Sequence, residues 1–324
     1  MLDRWKRAVV HLECATDSDH ISDVMARRMK LAEQLQQGSI SAQDYAKEMM
    51  SNWRSRDIRY HGTALFLTDA GRRYLLTARH VLFDERSAER DYEEEEKRAL
   101  KFGYGDRTDD LLRYTKEHKQ NKIFGIIFRV PSIDEVNAKK KEPEFLMNLG
   151  AGTSYSVPYS FSEPALDLAL ISLDQRDARF ANELESAGSA PIPLDDMVNG
   201  PDAEGQEVFT VGFPSSTALL GRTATVSDHW ASSNYSAPVF SFGRVSMLHE
   251  SLPFFWADMS AFPGNSGGPV IANDRLVGIV SGQATVPLDD APDIQTRIPF
   301  TNITKARFVR ELVEAQRAKD FGHR

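Results

Sequence analysis

"FPGNSGGPV", residues 262–270, sets Ser266 between Gly264 and the Gly267–Gly268 pair, with Pro263 and Pro269 outside them. So many glycines and prolines are too permissive for a helix and too broken for an ordinary strand. The stretch predicts a tight loop that presents backbone groups to whatever lies in front of it.

The neighbours of this loop read as strands. "PVIAN" (269–273) and "RLVGIVSGQ" (275–283) follow it, and "EVFTVGF" (207–213) and "PVFSFGRVSML" (238–248) precede it. Earlier come "AVVHLE" (8–13), "KIFGIIFRV" (122–130), "ALDLALISL" (165–173) and "GTALFLTDAGRRYLLTARHVL" (62–82), the last split in hairpin fashion at Gly71. Turns punctuate these runs without regular helix–strand alternation, which excludes a doubly wound parallel sheet and predicts an all-β fold of antiparallel barrels or sandwiches. The composition break "SAPIPLDDMVNGPDAEG" (189–205) divides the strands into an N-terminal half, residues 1–190, and a C-terminal half, residues 191–300.

Three segments depart from the strand pattern. Ile21, Val24, Met25, Leu31 and Leu35 lie at helical spacing up to Gly38, and Ser41 caps a second helix with Tyr45, Met49 and Trp53. This predicts a helical insertion over about residues 18–55, its apolar face packed on the body. A charged insert at about 85–121 pairs Glu93 with Lys97 and Glu94 with Arg98, as a solvated surface helix does. Within it Asp106, Thr108, Asp110 and Glu117 imitate a calcium loop, but Leu111 stands where that loop needs glycine. "GYG" at 103–105 lacks the third glycine of a nucleotide fingerprint. In the tail, residues 301–324, Ile303, Phe308, Leu312 and Val313 predict a C-terminal helix.

With 47 acidic against 39 basic residues the net charge is −8, which leaves no basic footprint for nucleic acid. The single cysteine, Cys14, cannot close an internal disulfide and reads as a buried strand residue, so a reducing, cytoplasmic setting is expected. No Cys/His cluster predicts a metal, no motif predicts a cofactor, and neither a signal-like segment nor an apolar run long enough to span a membrane is present.

Three polar residues stand out against this apolar background. His80 ends "LLTARH" where a strand has just finished, and the near-neutral reference pKa of histidine suits proton transfer. Asp167 interrupts "PALDLALISL", where a lone carboxylate is costly unless hydrogen-bonded. Ser266 sits in the glycine loop. A nucleophile, a base and a group that orients the base are what acyl transfer to serine requires, and the order His, Asp, Ser places the first two in one half and the serine in the other. His11, His61, His118, His229 and His249 lack such context and read as structural or surface residues.

"LLTARHVL", "LDLALISL" and "GNSGGPV" together resemble the trypsin-like, chymotrypsin-fold serine proteases, above all their disulfide-poor bacterial HtrA-like branch. A six-letter string such as "GNSGGP" has a chance probability on the order of 10⁻⁷ to 10⁻⁸ per window, and here it has two partners in the matching order. The resemblance covers residues 1–15 and 56–300 and implies two antiparallel β-barrels with the active site in the cleft between them. It implies His80, Asp167 and Ser266 as catalytic residues and the backbone amides of Gly264 and Ser266 as the oxyanion hole. It also sets Ser260 near the base of a specificity pocket and the Ser281, Gly282 and Gln283 stretch as a substrate-binding wall.

Two departures matter. Many secreted relatives carry aspartate before the nucleophile, held by a newly cleaved N-terminus; Asn265 stands here, so the loop must be organised without a buried ammonium. No PDZ domain is expected after the resembling region, unlike in typical HtrA-like proteins. The expected function is a cofactor-free serine endopeptidase acting on protein or peptide substrate, with an uncharged, apolar preference before the scissile bond because no acidic pocket base is present. A regulatory protein partner is left open. Two alternatives also remain: a non-catalytic peptide- or partner-binding module, and an esterase or acyl transferase using the same three residues.

Overall fold

The computed structural model describes residues 1–17, 21–49, 56–102, 113, 122–138, 146–149, 157–175, 178–222, 232, 234–288 and 291–321. The N-terminal half contributes β1 (Val9–Asp17), β2 (Arg56–Asp69), β3 (Arg72–Ala78), β4 (Ile126–Arg129), β5 (Leu146–Asn148), β6 (Tyr159–Phe161) and β7 (Leu168–Ser172), and the dividing segment adds β8 (Ile192–Pro193). These form one eight-stranded sheet in the order β5-β4-β1-β2-β3-β7-β6, with β8 added parallel to β2 and every other pairing antiparallel. The C-terminal half contributes β9 (Glu207–Gly212), β10 (Leu219–Arg222), β11 (Asn234–Ser236), β12 (Val239–Leu248), β13 (Phe254–Ala257), β14 (Pro269–Ala272), β15 (Arg275–Leu288) and β16 (Ala291–Lys305). Six of them close a barrel in the order β12-β13-β16-β15-β14-β9, while β10 and β11 pair as a separate ribbon.

Side-chain alternation explains why the central strands are apolar on both faces. On β2, Leu65 and Leu67 face one core and Ala64 and Phe66 another; on β7, Leu168 and Leu170 join the first and Ala169 and Ile171 the second. The second core lies within the N-terminal half. The first also takes in Phe209, Val211, Ile271, Leu276 and Ile279 of the C-terminal barrel, so the halves share a core. A third core, with Val245, Phe255, Val280 and Ile303, fills the barrel. The segment expected to divide the halves is tied to both: β8 pairs with β2, and Met197 bridges to Leu276.

The helices are α1 (Leu2–Ala8), α2 (Ile21–Gln36), α3 (Ala42–Met49), α4 (Arg79–Leu82), α5 (Glu85–Phe102), α6 (Ile133–Asn137), α7 (Arg179–Ser186) and α8 (Arg307–Phe321). Fully buried Trp5 of α1 donates from Nε1 to Asp274 Oδ1 at 2.7 Å, pinning the first helix to the β14–β15 turn. On α8, Asp320 accepts from Ser172 Oγ at 2.8 Å and pairs with Arg72 at 3.1 Å, which docks the last helix on the N-terminal sheet.

Several elements differ from the sequence expectation. Residues 302–305, expected in the terminal helix, complete β16: Ile303 is fully buried in the barrel core opposite Phe255 and Val280, and the helix begins only at Arg307. The helical insertion forms two helices, and Ser41 Oγ accepts from Asp44 N at 3.0 Å as a cap should. Leu31, Leu35, Tyr45 and Met49 are half-buried and Met29 is exposed, while the side chains of Ile21, Val24 and Met25 lie outside those described. Trp53, the "GYG" at 103–105 and the calcium-like Asp106, Thr108, Asp110 and Glu117 lie outside the described residues.

Candidate active site

β3 runs extended to Ala78 and turns directly into the single helical turn α4, which carries His80 out of the sheet. β7, paired with β3, begins one residue after Asp167. Asp167 takes a left-handed conformation, φ 52°, which aspartate tolerates at a modest cost. That turn lets one residue hold the histidine three ways. Asp167 O accepts from Arg79 N at 2.9 Å, Oδ1 accepts from His80 N at 3.0 Å, and Oδ2 lies 2.8 Å from His80 Nδ1. A carboxylate can only accept, so Nδ1 is the donor of this bond, and Nε2 is the ring nitrogen that Asp167 does not engage.

A third donor reaches the same carboxylate from the other half. Ser281 Oγ, on β15, donates to Asp167 Oδ2 at 2.6 Å, and the carbonyl of Ser281 accepts from Ser266 Oγ at 3.3 Å. An unbroken chain of contacts therefore runs from the imidazole through Asp167 and Ser281 to the Ser266 hydroxyl. No hydrogen bond joins that hydroxyl to His80 among the described residues. The Tyr60 ring stands edge-on to His80 at 5.8 Å, and burial, then the Asp167 charge, pushes its phenol pKa up.

Behind Ser266 the glycine loop is fixed carbonyl by carbonyl. Pro263 O accepts from Ser215 N at 2.8 Å, Gly264 O from Thr63 Oγ1 at 2.7 Å, Asn265 O from Gly268 N at 2.8 Å and Ser266 O from Thr63 N at 3.0 Å. A trans peptide points its N–H opposite to its C=O. Tying back the carbonyls of Pro263 and Asn265 therefore turns the amides of Gly264 and Ser266 away from the protein body, and neither amide donates to a protein acceptor among the described residues. Two glycines are obligatory here. Gly264 has φ 100° and a Cβ on it would lie 2.3 Å from Phe213 O; Gly267 has φ 86° and a Cβ would lie 2.1 Å from Thr63 O.

Thr63 is the centre of this arrangement. It is fully buried, gives two bonds to the loop, accepts from Phe213 N at 2.9 Å through Oγ1, and its own carbonyl accepts from Thr77 Oγ1 at 2.7 Å. Asn265 is 4% exposed and its Oδ1 has no hydrogen-bond partner, so the neutral side chain is not what anchors the loop.

Of the residues singled out from sequence, His80, Asp167, Ser266, Gly264 and Ser281 are thus brought together. Gly282 and Gln283 follow on β15, where Gln283 Nε2 donates to Ile298 O at 3.0 Å. Ser260 is exposed and lines neither of the cavities described here. One cavity, about 610 Å³, opens beside His80 between Tyr60, Phe83, Asp84, Glu85, Arg86 and Phe124. The other, about 460 Å³, lies on the far side of Phe213, where buried His11 stacks on that ring at 4.7 Å. Sequence reasoning missed Thr63, whose only signal is a hydroxyl heading the apolar run "ALFL", and the bond from Ser281 to Asp167. Among the described residues no group of three His, Cys, Asp or Glu side chains could hold a metal ion, and no helix is long and apolar enough to cross a membrane.

The family of trypsin-like peptidase domains matches residues 62–279, more than half of the chain, and the chain belongs to that family. Among solved structures, the chain is similar to the serine protease domain of the Sesbania mosaic virus polyprotein, at 12% identity and a TM-score of 0.37 over 77% of this chain and 84% of that one. It is also similar to a structure described under aromatic interactions that drive coupled folding and binding of the intrinsically disordered Sesbania mosaic virus VPg protein. That match has 13% identity and a TM-score of 0.36 over 78% of this chain and 83% of that one. No curated protein matches the chain.

Proposed function

We propose that this member of the trypsin-like peptidase family is a serine endopeptidase in which Ser266 is the nucleophile, His80 the general base and acid, and Asp167 the group that orients His80. Ser266 Oγ bonds to the carbonyl carbon of the substrate while its proton passes to His80 Nε2. The oxyanion is held by the amides of Gly264 and Ser266. His80 then gives the proton to the leaving amine, and water, deprotonated by the same nitrogen, releases the acyl group from Ser266.

The observation that carries this reading is the pairing of a hydrogen-bonded Asp167–His80 unit with a loop whose four carbonyls from Pro263 to Ser266 are tied back, so that two amides are left to donate. Each such donor is worth roughly 3 kcal/mol in the transition state. The substrate is a protein or peptide, as the family implies. A single buried thiol, Cys14, whose pKa burial pushes up, suits a reducing, cytoplasmic setting.

A fluorophosphonate probe should label the protein on Ser266, and Ser266→Ala should abolish both labelling and hydrolysis of an unfolded protein such as casein, with turnover down on the order of 10⁶. Absence of labelling in folded protein would leave a binding module. Hydrolysis of activated esters without peptides would leave an esterase.

A further inference from the structure

The cavity of about 460 Å³ behind Phe213 is lined by none of His80, Asp167 and Ser266 and takes no part in the chemistry set out above. Its walls come from α1, β1, the turn from β4 into α6 and the turn after α7, together with Phe213 and the link from β11 to β12 of the C-terminal half. Two of the polar side chains in these walls are buried with nothing to bond to. His11 and Ser236 are each 1% exposed, and among the described residues neither ring nitrogen of His11 nor the hydroxyl of Ser236 has a hydrogen-bond partner. Their backbones are tied down: His11 O accepts from Val130 N at 3.0 Å, and Ser236 N donates to Pro131 O at 3.0 Å. The His11 ring also lies flat on Phe213, with the two planes 10° apart. An unmet buried polar group is destabilising, so groups held this way in a cavity wall persist where solvent or a ligand meets them.

Charge decides what kind of ligand that is. Burial, then nearby His61, holds the His11 pKa well below 6.5, so at neutral pH the ring is uncharged and offers one N–H and one lone pair. The Ser236 hydroxyl can donate or accept. The charged side chains of the walls balance, Lys6, Arg7 and Arg129 against Asp3, Asp134 and Glu135, and Arg129 already donates to both carboxylate oxygens of Glu135. Neither an anion nor a cation is favoured by that balance, and either would lose its hydration beside a neutral imidazole. Val9, Val10, Val130 and Ile133 supply apolar wall. An uncharged edge with a donor beside an acceptor, on an apolar body, satisfies both sets of groups.

The cavity also backs onto the oxyanion loop. Phe213 N donates to Thr63 Oγ1 at 2.9 Å, and that hydroxyl donates to Gly264 O at 2.7 Å, so the ring under His11 stands two hydrogen bonds from the loop. We propose that the cavity at His11 and Ser236 binds a small uncharged molecule bearing a hydrogen-bond donor beside an acceptor, as a carboxamide or a nucleobase does, and that its occupancy is coupled to the oxyanion loop through Phe213 and Thr63. It is a second site, separate from the one that would hold a peptide.

The test uses the full chain and four probes that differ in one group: quinoline-3-carboxamide, quinoline-3-carboxylate, the 3-aminomethyl cation and 3-methylquinoline. Ligand-detected NMR titration should give the carboxamide a Kd of about 1 mM or tighter, as a ligand of this size reaches in a fitted site. The other three lack the donor, the acceptor or both, and should bind about tenfold or more weakly. Ser236→Ala should weaken the carboxamide about fivefold and His11→Leu about tenfold, with 3-methylquinoline within about twofold of wild type in each folded variant. Adenosine in the same titration separates the sources: tighter binding than the carboxamide assigns a nucleobase, weaker binding a carboxamide. Thr63→Val should weaken the carboxamide about fivefold, a usual size for coupling between sites, and Thr63→Ser should not. Should Thr63→Val not fold, the rate of fluorophosphonate labelling with and without saturating carboxamide reads the coupling instead, with a change of about fivefold expected.

Equal binding of all four probes, or tightest binding of a charged one, overturns the site. So does carboxamide binding that survives both Ser236→Ala and His11→Leu, and so does the absence of binding by any probe at about 10 mM, which leaves solvent alone on His11 and Ser236. An affinity unchanged in folded Thr63→Val, or an unchanged labelling rate where that variant does not fold, removes the coupling. The titrations need no peptide cleavage, so this site and the peptidase reading fail separately.

Discussion

Thr63→Val removes one hydroxyl from the best-connected point of the candidate site while nearly keeping side-chain shape. Two buried groups lose their partner: Gly264 O, which accepts from Oγ1 at 2.7 Å, and Phe213 N, which donates to it at 2.9 Å. An unmet buried polar group costs about 1–3 kcal/mol, so the variant should be less stable by about 2–6 kcal/mol, toward the lower end if water reaches either group. The functional effect is separate. Gly264 O belongs to the peptide between the two whose amides are proposed to hold the oxyanion, and Gly264 itself, at φ 100°, is free to rotate once its carbonyl is released. The upper bound is loss of one oxyanion donor, about 10² to 10³ in kcat. Hydrolysis of a fluorogenic peptide should therefore show kcat lowered by about 10- to 10³-fold, with KM within about twofold of wild type, because an oxyanion donor acts in the transition state. Thr63→Ser should restore most of both losses. A Thr63→Val protein that melts earlier but turns over at the wild-type rate would refute the reasoning, since the hydroxyl would then serve the fold alone.

Two further substitutions probe other bonds. Ser281→Ala takes the 2.6 Å donor from Asp167; a hydrogen bond to a charged group is worth about 1.5–3 kcal/mol, so kcat should fall about 10- to 100-fold if that bond holds the carboxylate against His80. A rise in KM with kcat unchanged would show instead that Ser281 serves only as substrate wall. His11→Leu should flatten the pH dependence of stability. His11 is 1% exposed, neither ring nitrogen is hydrogen-bonded, and burial, then nearby His61, holds its pKa well below 6.5. The unfolded chain therefore takes up the proton first, so this contribution is complete above about pH 6.5 and is lost as pH falls, at up to about 1.4 kcal/mol per unit. Chemical denaturation between about pH 7 and 5 should show a smaller decline for His11→Leu, and an equal decline would refute the assignment.

What could be read from sequence follows from how local each signal is. His80, Asp167 and the glycine loop were legible because each breaks an apolar strand with a residue that is expensive there unless it has a task. Thr63 was not, because threonine is an ordinary strand residue and its partners Gly264 and Phe213 are 201 and 150 positions away. The seven residues of α1 are too few to establish a helical period. The spacing of Ile303 to Phe308 and Leu312 mimics a helical face across the boundary at Arg307, so sequence alone extends the terminal helix over it. The length of β15 is hidden for the opposite reason: from Thr285 to Leu288 its side chains are all exposed, so no alternation of buried and exposed positions marks it as a strand.

Asn265 brings these strands of argument together. An aspartate at a position 4% exposed would need a countercharge, because burying an unpaired carboxylate costs far more than hydrogen bonds to neutral groups return. With asparagine, the demand for an ammonium disappears and the loop can be held by neutral donors: Ser215 N, Thr63 Oγ1, Gly268 N and Thr63 N. None of those donors titrates in the physiological range, so the loop has no protonation step that could open or close it. Any acid loss of activity beyond what protonation of His80 or Asp167 causes must then come through the fold. The buried, unbonded imidazole of His11, stacked on Phe213, is placed to transmit it, because the amide of Phe213 is bonded to Thr63.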